Sequence, residues 1–382
     1  MTLVVCDAQG VVHGELEPFS VATPWWQEVE PIRERHPSLV ILRLLDGTPK
    51  PQEPGAHVRY LAEAMCGPEA LPLQPSEGFI DEHPLRMPWA RPGGPSADLA
   101  WAAGFLELAG PPTQHRTWNL SAIWSIPSSN GRLWLKCVPG FFAHEAHVLG
   151  ALRDAGSPQP VASDGRRMLL ADLPGHDGYD ATVEEACDLV DHLVGLQLAT
   201  VPRTPALLLA GVPDARWPAL LDELRSVVIR RAPQDQDLWR LLDTADDRIR
   251  AIDECGLADV LVHGDAHPGN ARIGVDPPIW FDWGDSRIGH PLLDLAVLER
   301  LDREPRQQLA QHWLAAWAAA VPGSDPYRAW ALLRPLAALR VAAVFQMFLD
   351  RIEPSERVYH AGDVQPALDV ASRLAASGGS GG

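Results

Sequence analysis

The pattern of apolar and polar positions divides the chain into an early strand-rich part and a later helical part. Short apolar runs such as LVVCDAQGVV, LVILRLL and HVRYLAEA lie within the first 68 residues and predict strands, while TPWWQEVEPIRERH predicts one helix capped by Thr23. Beyond residue 174 the apolar residues recur mostly at helical spacing. The predicted helices are 182–202, 214–231, 235–255, 291–320, 326–352 and 362–376. A strand-rich block at 259–289 interrupts them.

A second group of strands is predicted between these two parts. RTWNLSAIWSI and RLWLKCV are apolar runs joined by SSNG, and the dipeptide Asn130-Gly131 is typical of a tight hairpin turn. The helix ADLAWAAGFLELAG precedes the hairpin, from a cap at Ser96 to Gly110, and the helix FFAHEAHVLGALRDAG follows it. Two short strands are predicted in PQPVASDGRRMLLADLPG, so this region forms a small sheet with flanking helices.

The order of these elements predicts an α+β protein with more than one domain. A chain of 382 residues exceeds the usual size of a single hydrophobic core, and its Pro- and Gly-rich stretch at 68–96 is the best candidate for a linker. The predicted parts are an α/β cap with linker (1–95), a strand-rich lobe (96–173), a helical lobe (174–376) and a flexible tail (377–382).

The strand-rich block in the helical part carries the strongest chemical signal. Its first apolar run, DVLVH, is followed by Asp265, and its second, PIWFDW, has Asp282 at its end. Asn270 lies five residues after Asp265. An unpaired buried charge costs several kcal/mol, and clustered oxygen ligands of this kind suit Mg²⁺. Kinases use one Asp near the attacking hydroxyl, an Asn on the metal and a second Asp on the metal after the next strand.

The sequence HGDAHPGN followed by FDWGD resembles the aminoglycoside phosphotransferase and choline kinase family. The resemblance covers residues 100–300 and extends to about 352, and it leaves the first ~90 residues as an added cap. It implies a protein-kinase-like bilobal fold, with a small β-rich N-lobe and a large helical C-lobe. By this resemblance Asp265 orients the substrate hydroxyl and takes its proton, while Asn270 and Asp282 bind the metal.

Three further residues, in the block or just after it, are expected to support the catalytic ones. By the same resemblance, His263 braces the loop, and Asp285, in DWGD, lies behind the metal ligands. Asp294, in PLLDLA, matches a family position that holds the loop from the N-terminus of a helix.

Lysine usage points to a nucleotide contact in the strand-rich lobe. The chain has 32 basic residues, of which only Lys50 and Lys136 are lysines. A compact ammonium group suits phosphate oxygens in a way that a guanidinium does not, and Lys136 lies on the return strand of the hairpin. Glu145 follows nine residues later, near the start of the next helix. A kinase needs such a Lys–Glu pair to hold the phosphates of ATP or GTP.

The loop that covers the phosphates is predicted to differ from the glycine-rich loop of other kinases. The equivalent stretch, WNLSAIW, has no glycine, and Asn119 and Ser121 are the candidate phosphate contacts. The interlobe hinge is expected in the segment 169–175, where Asp172 would lie near the nucleotide. No GxxxxGK[ST] sequence occurs, which excludes a P-loop fold.

The acceptor is expected between Asp265 and the last helices. Gln346, Asp350 and Glu353 are candidate contacts on or just after the helix predicted at 326–352. Asp350 would pair with an amine of the substrate, but the same three side chains could equally only solvate a helix end.

Charge and cysteine usage restrict the partners. A formal net charge of −18 repels nucleic acid and tolerates a cationic substrate. Five separated cysteines without a CxxC pair fit a reducing cytoplasm, and the N-terminus lacks the pattern of a signal peptide. The apolar segment at 330–349 contains Arg334 and Arg340, so a buried helix is predicted rather than a membrane span.

The predicted function is ATP-dependent transfer of the γ-phosphate to a hydroxyl of a small molecule, such as an aminoglycoside or another sugar-containing antibiotic. Two alternatives stay open at this point. The chain could be a metabolic kinase for a sugar, an amino sugar or an amino alcohol, or a catalytically silent nucleotide-binding protein. The sequence leaves the acceptor and the oligomeric state open.

Overall fold

A computed structural model describes residues 1–23, 25–48, 56–65, 67–76, 80–153 and 157–378. The chain divides into two compact units. Unit 1 consists of Met1–Ala143, Pro160–Asp172 and Phe348–Gly362, and unit 2 consists of His144–Gln159, Leu173–Met347 and Asp363–Gly382. The last four residues of the predicted tail, and the last three of the helix predicted over FFAHEAHVLGALRDAG, lie outside the described ranges.

The first sheet of unit 1 is formed by the N-terminal strands. Its strands are β1 (Thr2–Cys6), β2 (Val12–Leu16), β3 (Leu39–Gly47), β4 (Val58–Ala64) and β5 (Leu73–Gln74). They lie in the order β3-β4-β1-β2-β5, with β1 and β4 parallel and the other pairs antiparallel. Leu3 and Val5 belong to one core cluster, and Val4 and Cys6 belong to another. Because successive side chains on a strand point to opposite faces, this sheet is covered on both sides.

The helix predicted over TPWWQEVEPIRERH is much shorter than expected. Among the described residues of this segment only α1 (Glu30–Arg35) is helical, and its N-cap residue, Val29, makes no side-chain capping bond. Trp26 is instead buried in the core of the first sheet, and its carbonyl oxygen accepts a hydrogen bond from the Tyr60 hydroxyl. Burial of this large side chain outweighs the helical preference of the residues around it.

The second sheet of unit 1 contains the predicted hairpin. Its strands are β6 (Thr113–Thr117), β7 (Ala122–Ser128), β8 (Gly131–Cys137), β9 (Pro160–Ser163) and β10 (Arg167–Ala171). They lie in the order β6-β7-β8-β10-β9, and Ser128 opposes Gly131 across the hairpin turn. Lys136 lies on the central strand β8, opposite Ile123 on one side and Met168 on the other.

The helix that precedes this sheet also ends earlier than predicted. Helix α2 spans Gly94–Ala103 and begins after Gly93, so Ser96 is not its cap. The following residues pair with the hairpin: Ala109 N–H donates to the Pro127 carbonyl at 2.9 Å, and Ser129 N–H donates to the Glu107 carbonyl at 3.1 Å. These backbone bonds draw the segment away from the helical conformation.

Residues 348–362 complete unit 1 from the far end of the chain. The buried carboxylate of Glu353 accepts hydrogen bonds from the Arg86 guanidinium at 3.0–3.3 Å and lies 3.7 Å from Arg43. Glu356 Oε1 accepts the Leu44 N–H at 3.0 Å. Glu353 and Glu356 therefore contact residues of the first 90 positions that lie more than 250 positions away in sequence.

The stability of unit 1 is expected to fall with rising pH because of Glu356. This side chain is 3% exposed, and burial raises the pKa of its carboxyl from 4.5 to about 8. The folded state therefore keeps a proton that the unfolded chain loses near pH 4.5, so stability decreases from about pH 4.5 to about pH 8. Glu356→Gln should remove this dependence, which is on the order of 5 kcal/mol.

Urea unfolding of both proteins at pH 5 and at pH 8.5 measures this effect. The difference in unfolding free energy between wild type and Glu356→Gln should change between the two pH values, in favour of the variant at high pH. Glu82→Gln, at an exposed position, is the control and should leave the profile unchanged. A pH-independent difference for Glu356→Gln would contradict the assignment.

Unit 2 is mainly helical, as predicted. Its helices are α3 (Glu145–Ala151), α4 (Val183–Thr200), α5 (Thr204–Leu209), α6 (Trp217–Arg231), α7 (Gln236–Asp243), α8 (Ala245–Asp253), α9 (Arg303–Ala320), α10 (Pro326–Arg351, in unit 2 as far as Met347) and α11 (Val364–Gly378). Two predicted helices are divided. The one at 235–255 breaks at Thr244, and the one at 291–320 begins as the 3₁₀ segment Pro291–Arg300 before α9.

Helix α10 is long and apolar enough to cross a membrane by length and composition alone. Most of its apolar stretch is buried inside the protein, which is typical of the core helix of a soluble protein. Arg340, within it, is 3% exposed and lies close enough to Asp285 and Asp294 to lower the pKa of both carboxyls, against the larger effect of burial.

The block at 259–289 contains four of the five described strands of unit 2. Strand β12 (Val260–Val262) pairs antiparallel with β15 (Arg287–Gly289), while β11 (His176–Asp177), β13 (Ala271–Ile273) and β14 (Ile279–Trp280) form a second small sheet. The pairing of β12 with β15 places Val262 opposite Arg287. The residues just after β12 therefore lie next to the residues just before β15. The α+β arrangement predicted from the sequence, with a strand-rich part followed by a helical part, is confirmed.

Candidate active site

A closed loop follows strand β12 and carries the predicted catalytic residue. The strand is fully buried, and Leu261 N–H donates to Thr200 Oγ1 at 3.0 Å. Gly264 has φ of +90°, and a Cβ there would lie 2.2 Å from the Asp285 carbonyl oxygen. Only glycine allows this backbone conformation and this approach, so the glycine of HGD brings the loop against the DWGD turn.

His263 lies beneath the loop with its ring fully buried. Burial lowers the pKa of His263 to about 4, so the ring is neutral at pH 7. Its Nε2 is 3.0 Å from the Phe281 carbonyl oxygen, and its Nδ1 accepts the Asp265 N–H at 3.4 Å. A neutral ring with its proton on Nε2 satisfies both contacts, and it links the loop to the strand before Asp282.

Asp265 lies near the start of this loop, partly exposed and between the side chains of His267 and Arg300. His267 Nε2 is 3.4 Å from Oδ2, and Arg300 Nη1 is 3.5 Å from Oδ1. Burial acts to raise the pKa of Asp265, but the His267 contact and the charges of His267 and Arg300 outweigh it and lower the pKa to about 2. The carboxylate is therefore ionised across the physiological range.

Asn270 closes the loop onto Asp265. Its Nδ2 donates to the Asp265 carbonyl oxygen at 2.9 Å and to Oδ2 at 3.2 Å, and its own N–H donates to the His267 carbonyl at 2.9 Å. Since the amide nitrogen is used within the loop, Oδ1 is the atom that Asn270 can offer to a metal ion.

Asp282 follows strand β14 in the left-handed backbone conformation, with φ of 62° and ψ of 55°. Aspartate tolerates this conformation better than most residues, and such strained positions are frequent at functional sites. The charge of Asp282 acts on the buried ring of His263, so it lies near the loop that carries Asp265.

The residues present fit a magnesium ion. An amide oxygen from Asn270 and a carboxylate from Asp282 are the hard oxygen ligands that Mg²⁺ prefers, and Mg²⁺ keeps its other positions for water and phosphate oxygens. Among the residues that the structure describes, no group of three or more His, Cys, Asp or Glu side chains forms a metal-binding cluster. The assignment of Asn270 and Asp282 as metal ligands stays a prediction.

Asp285 lies behind these residues. Burial, and next the negative charges of Asp265 and Asp282, raise the pKa of Asp285 to about 7. The charges of Asp265 and Asp282 therefore both reach Asp285.

Asp294 holds the loop at 263–270 from the 3₁₀ segment Pro291–Arg300. Its Oδ2 accepts the His263 N–H at 2.9 Å, and its Oδ1 accepts the Gly264 N–H at 2.7 Å. Gln197, on helix α4, donates to Oδ2 at 2.7 Å. Burial raises the pKa of Asp294 to about 6, against the lowering effect of the two loop N–H groups.

Glu145 contacts the DWGD turn from helix α3. The side chain is 1% exposed, and its Oε1 accepts the Trp283 N–H at 3.2 Å. This bond links the predicted helix glutamate to the residue after the predicted metal ligand. Its pairing with Lys136 stays a prediction.

The other predicted nucleotide contacts lie in unit 1, where the structure gives three of them local partners. Asn119 Nδ2 donates to the Glu356 carbonyl at 3.2 Å, and Ser121 Oγ accepts from Trp118 Nε1 at 3.0 Å. The Asp172 carboxylate accepts from Arg132 at 2.8 Å and from a neighbouring tryptophan. Their roles toward a nucleotide stay predictions.

The predicted acceptor contacts are divided between the units. Gln346, in unit 2, accepts a hydrogen bond from Arg231, while Asp350 and Glu353 belong to unit 1. The ion pairs of Glu353 with Arg86 and Arg43 give its buried carboxylate a structural role in unit 1. Contact of these three side chains with a substrate stays a prediction.

Three residues of the site were missed by sequence reasoning. His267 had a local signal, because a histidine before Pro-Gly can cap a short turn, and its Nδ1 accepts the Gly269 N–H at 3.1 Å. Gln197 and Arg300 had none, since Gln197 contacts Asp294 and Arg300 contacts Asp265 from distant parts of the sequence.

Comparison with known proteins identifies the chain. The sequence model of the phosphotransferase enzyme family (APH) matches residues 133–335, which is more than half of the sequence and includes Lys136, Asp265, Asn270 and Asp282. The chain belongs to this phosphotransferase family. It is a phosphotransferase that acts on hydroxyl groups of small molecules, and the family and the enzyme class predicted from the sequence are confirmed.

Solved structures of similar fold agree with this family. A putative aminoglycoside phosphotransferase from Ralstonia eutropha matches with a TM-score of 0.50 and 16% identity, covering 74% of this chain and 98% of that one. The amicoumacin kinase hAmiN matches with a TM-score of 0.51 and 15% identity over 74% and 93%. An ethanolamine kinase from Plasmodium vivax matches with a TM-score of 0.50 and 10% identity over 70% and 82%.

These identities show the common fold of the phosphotransferase and not a common substrate. A search of curated proteins gives no match.

Proposed function

We propose that this phosphotransferase moves the γ-phosphate of ATP or GTP, with Mg²⁺, to a hydroxyl of a small molecule. The observation that carries the proposal is the closed loop at 263–270, in which an ionised Asp265 is held beside Asn270 and near Asp282. Kinases use this combination of an acceptor-positioning carboxylate with an amide and a carboxylate on the metal.

In this proposal each side chain has a separate task. Asp265 accepts the hydrogen bond of the substrate hydroxyl, orients its oxygen toward phosphorus and takes its proton during transfer. Asn270 and Asp282 would hold Mg²⁺, which neutralises charge on the phosphate oxygens. Asp294 and His263 keep the loop in place, so that positioning supplies most of the rate enhancement.

The acceptor that we propose is an aminoglycoside or another sugar-containing antibiotic, and the enzyme would then confer resistance in the cytoplasm. The acidic surface, with a formal net charge of −18, suits a cationic substrate. The amicoumacin kinase and the ethanolamine kinase of similar fold support a small polar acceptor in general. The second candidate is therefore a metabolic kinase for a sugar, an amino sugar or an amino alcohol.

The test is transfer of labelled phosphate from γ-labelled ATP or GTP to a panel of hydroxyl compounds, with product detected by mass. The panel contains aminoglycosides, macrolides, sugars, amino sugars and amino alcohols. Mg²⁺-dependent phosphorylation of an aminoglycoside supports the first candidate, and phosphorylation of sugars or amino alcohols alone supports the second. Nucleotide binding without transfer or hydrolysis would contradict both and favour a silent nucleotide-binding protein.

Lys136→Ala is expected to weaken the use of nucleotide. Loss of a charge-assisted contact to phosphate costs about 1.5–3 kcal/mol, which corresponds to roughly a 10- to 100-fold higher KM for ATP. Steady-state kinetics at varied ATP measure this, and Arg166→Gln, at an exposed position of unit 1, is the control. An unchanged response to ATP would remove Lys136 from the site.

A further inference from the structure

Arg300 reaches the catalytic carboxylate from outside the loop. It is the last residue of the 3₁₀ segment Pro291–Arg300, and its Nη1 lies 3.5 Å from Asp265 Oδ1. Its guanidinium carbon lies 5.8 Å from the ring centroid of Phe345. The side chain is 53% exposed, so most of the guanidinium remains open to solvent beside Asp265.

Neighbouring arginines are engaged elsewhere. Arg334 Nε and Arg306 Nη1 lie 2.6 Å and 3.1 Å from the Glu299 carboxylate, which they share. Within the described part of the chain, the hydrogen-bond partner of Arg300 is Asp265, at a distance near the limit for a hydrogen bond. A cation held this weakly can exchange its partner at little cost, because half-exposed ion pairs contribute about 0–1 kcal/mol.

The backbone segment that carries Arg300 is nevertheless linked to the loop that carries Asp265. Asp294, six residues earlier in the same 3₁₀ segment, accepts the His263 and Gly264 N–H groups at 2.9 Å and 2.7 Å. The loop that carries Asp265 and the segment that carries Arg300 are therefore joined by buried bonds. Motion of Arg300 is then confined to its side chain, which keeps it within reach of whatever binds at Asp265.

The charges of the site create a need for this cation. The charges of Asp265 and Asp282 both act on Asp285, so the phosphoryl group would approach Asp265 in a negatively charged region. A metal ion held by Asn270 and Asp282 would balance part of this charge. Arg300 brings a planar guanidinium to the acceptor side, and this group suits two oxygens of one phosphate.

We propose that Arg300 is a catalytic residue that leaves Asp265 when the acceptor binds and donates hydrogen bonds to the phosphoryl group in transfer. In this step the acceptor oxygen bonds to the γ-phosphorus as the bond from phosphorus to the bridging oxygen breaks. The hydroxyl proton passes to Asp265, and the nucleoside diphosphate leaves. The inference rests on the phosphotransfer proposed above and adds a residue to it.

Kinetics of Arg300→Ala, Arg300→Lys and the control Arg306→Gln test this role. Removal of a donor that acts on developing charge typically lowers kcat by about 10²–10³-fold, and we expect a loss of this size for Arg300→Ala with an acceptor KM within about threefold of wild type. Arg300→Lys should keep part of the rate, because it retains the charge without the planar fork. Arg306→Gln, which removes a partner of Glu299, should have wild-type kcat.

Rescue by free guanidinium separates a catalytic role from a structural one. Low concentrations of guanidinium chloride should raise kcat of Arg300→Ala by about tenfold or more, as expected for a transition-state contact, and should not raise kcat of wild type. Arg300→Ala with a wild-type kcat, a loss confined to the acceptor KM, or a folded variant without rescue would each overturn the role of Arg300. Absence of transfer by the wild-type enzyme would instead overturn the proposed function, and this inference with it.

Discussion

Asp265→Asn is expected to lower kcat for phosphotransfer by about 10³-fold while the fold remains intact. General-base catalysis contributes about 10²–10⁴-fold, and an amide cannot take the hydroxyl proton. The variant keeps the backbone bonds of the loop, including the one from Asn270 Nδ2 to the carbonyl of residue 265. Transfer of labelled phosphate at saturating ATP and acceptor measures the loss.

The control for this experiment is Asp180→Asn, which changes the same chemical group at an exposed position of unit 2. Asp180→Asn should have a melting temperature within about 2 °C of wild type, and Asp265→Asn should remain folded at the assay temperature. A correctly folded Asp265→Asn enzyme with wild-type turnover would show that another group positions the hydroxyl.

Asp294→Ala is expected to damage both stability and activity. The carboxylate is 2% exposed and accepts hydrogen bonds from two loop N–H groups and from Gln197. Removing one member of a buried charged network typically costs about 3–5 kcal/mol, because its partners remain buried without bonds. Asp294→Asn keeps one acceptor oxygen and should lose less, about 1–3 kcal/mol.

Thermal unfolding and hydrogen exchange together test whether Asp294 holds the loop. We expect the melting temperature to be highest for wild type, lower for Asp294→Asn and lowest for Asp294→Ala. The amides of His263 and Gly264 should exchange faster in Asp294→Ala than in wild type, while amides of the first sheet should change little. Unchanged exchange at these two amides would mean that the loop is held by other contacts.

Local sequence predicts the catalytic loop well because the loop is closed by local bonds. Asp265, His267 and Asn270 contact one another within six residues, so their types and spacing are read directly from HGDAHPGN. Asp282 was assigned from its position at the end of the second apolar run and from the family resemblance, and its role on a metal ion stays a prediction.

Contacts between distant segments could not be predicted in the same way. Gln197 meets Asp294 across 97 residues, and Leu44 meets Glu356 across 312. Each side chain alone looks like an ordinary helix or loop residue. Trp26 shows the same limit for secondary structure, since its burial in the first sheet replaces the predicted helix by an irregular segment. In these places tertiary packing decides what local preference leaves open.

An experimental structure with Mg²⁺ and a non-hydrolysable ATP analogue is the most direct test of the proposed site. It should show Asn270 Oδ1 and the Asp282 carboxylate on one metal ion, at about 2.0–2.1 Å, with the γ-phosphate next to Asp265. A metal and nucleotide bound away from these three side chains would contradict the account.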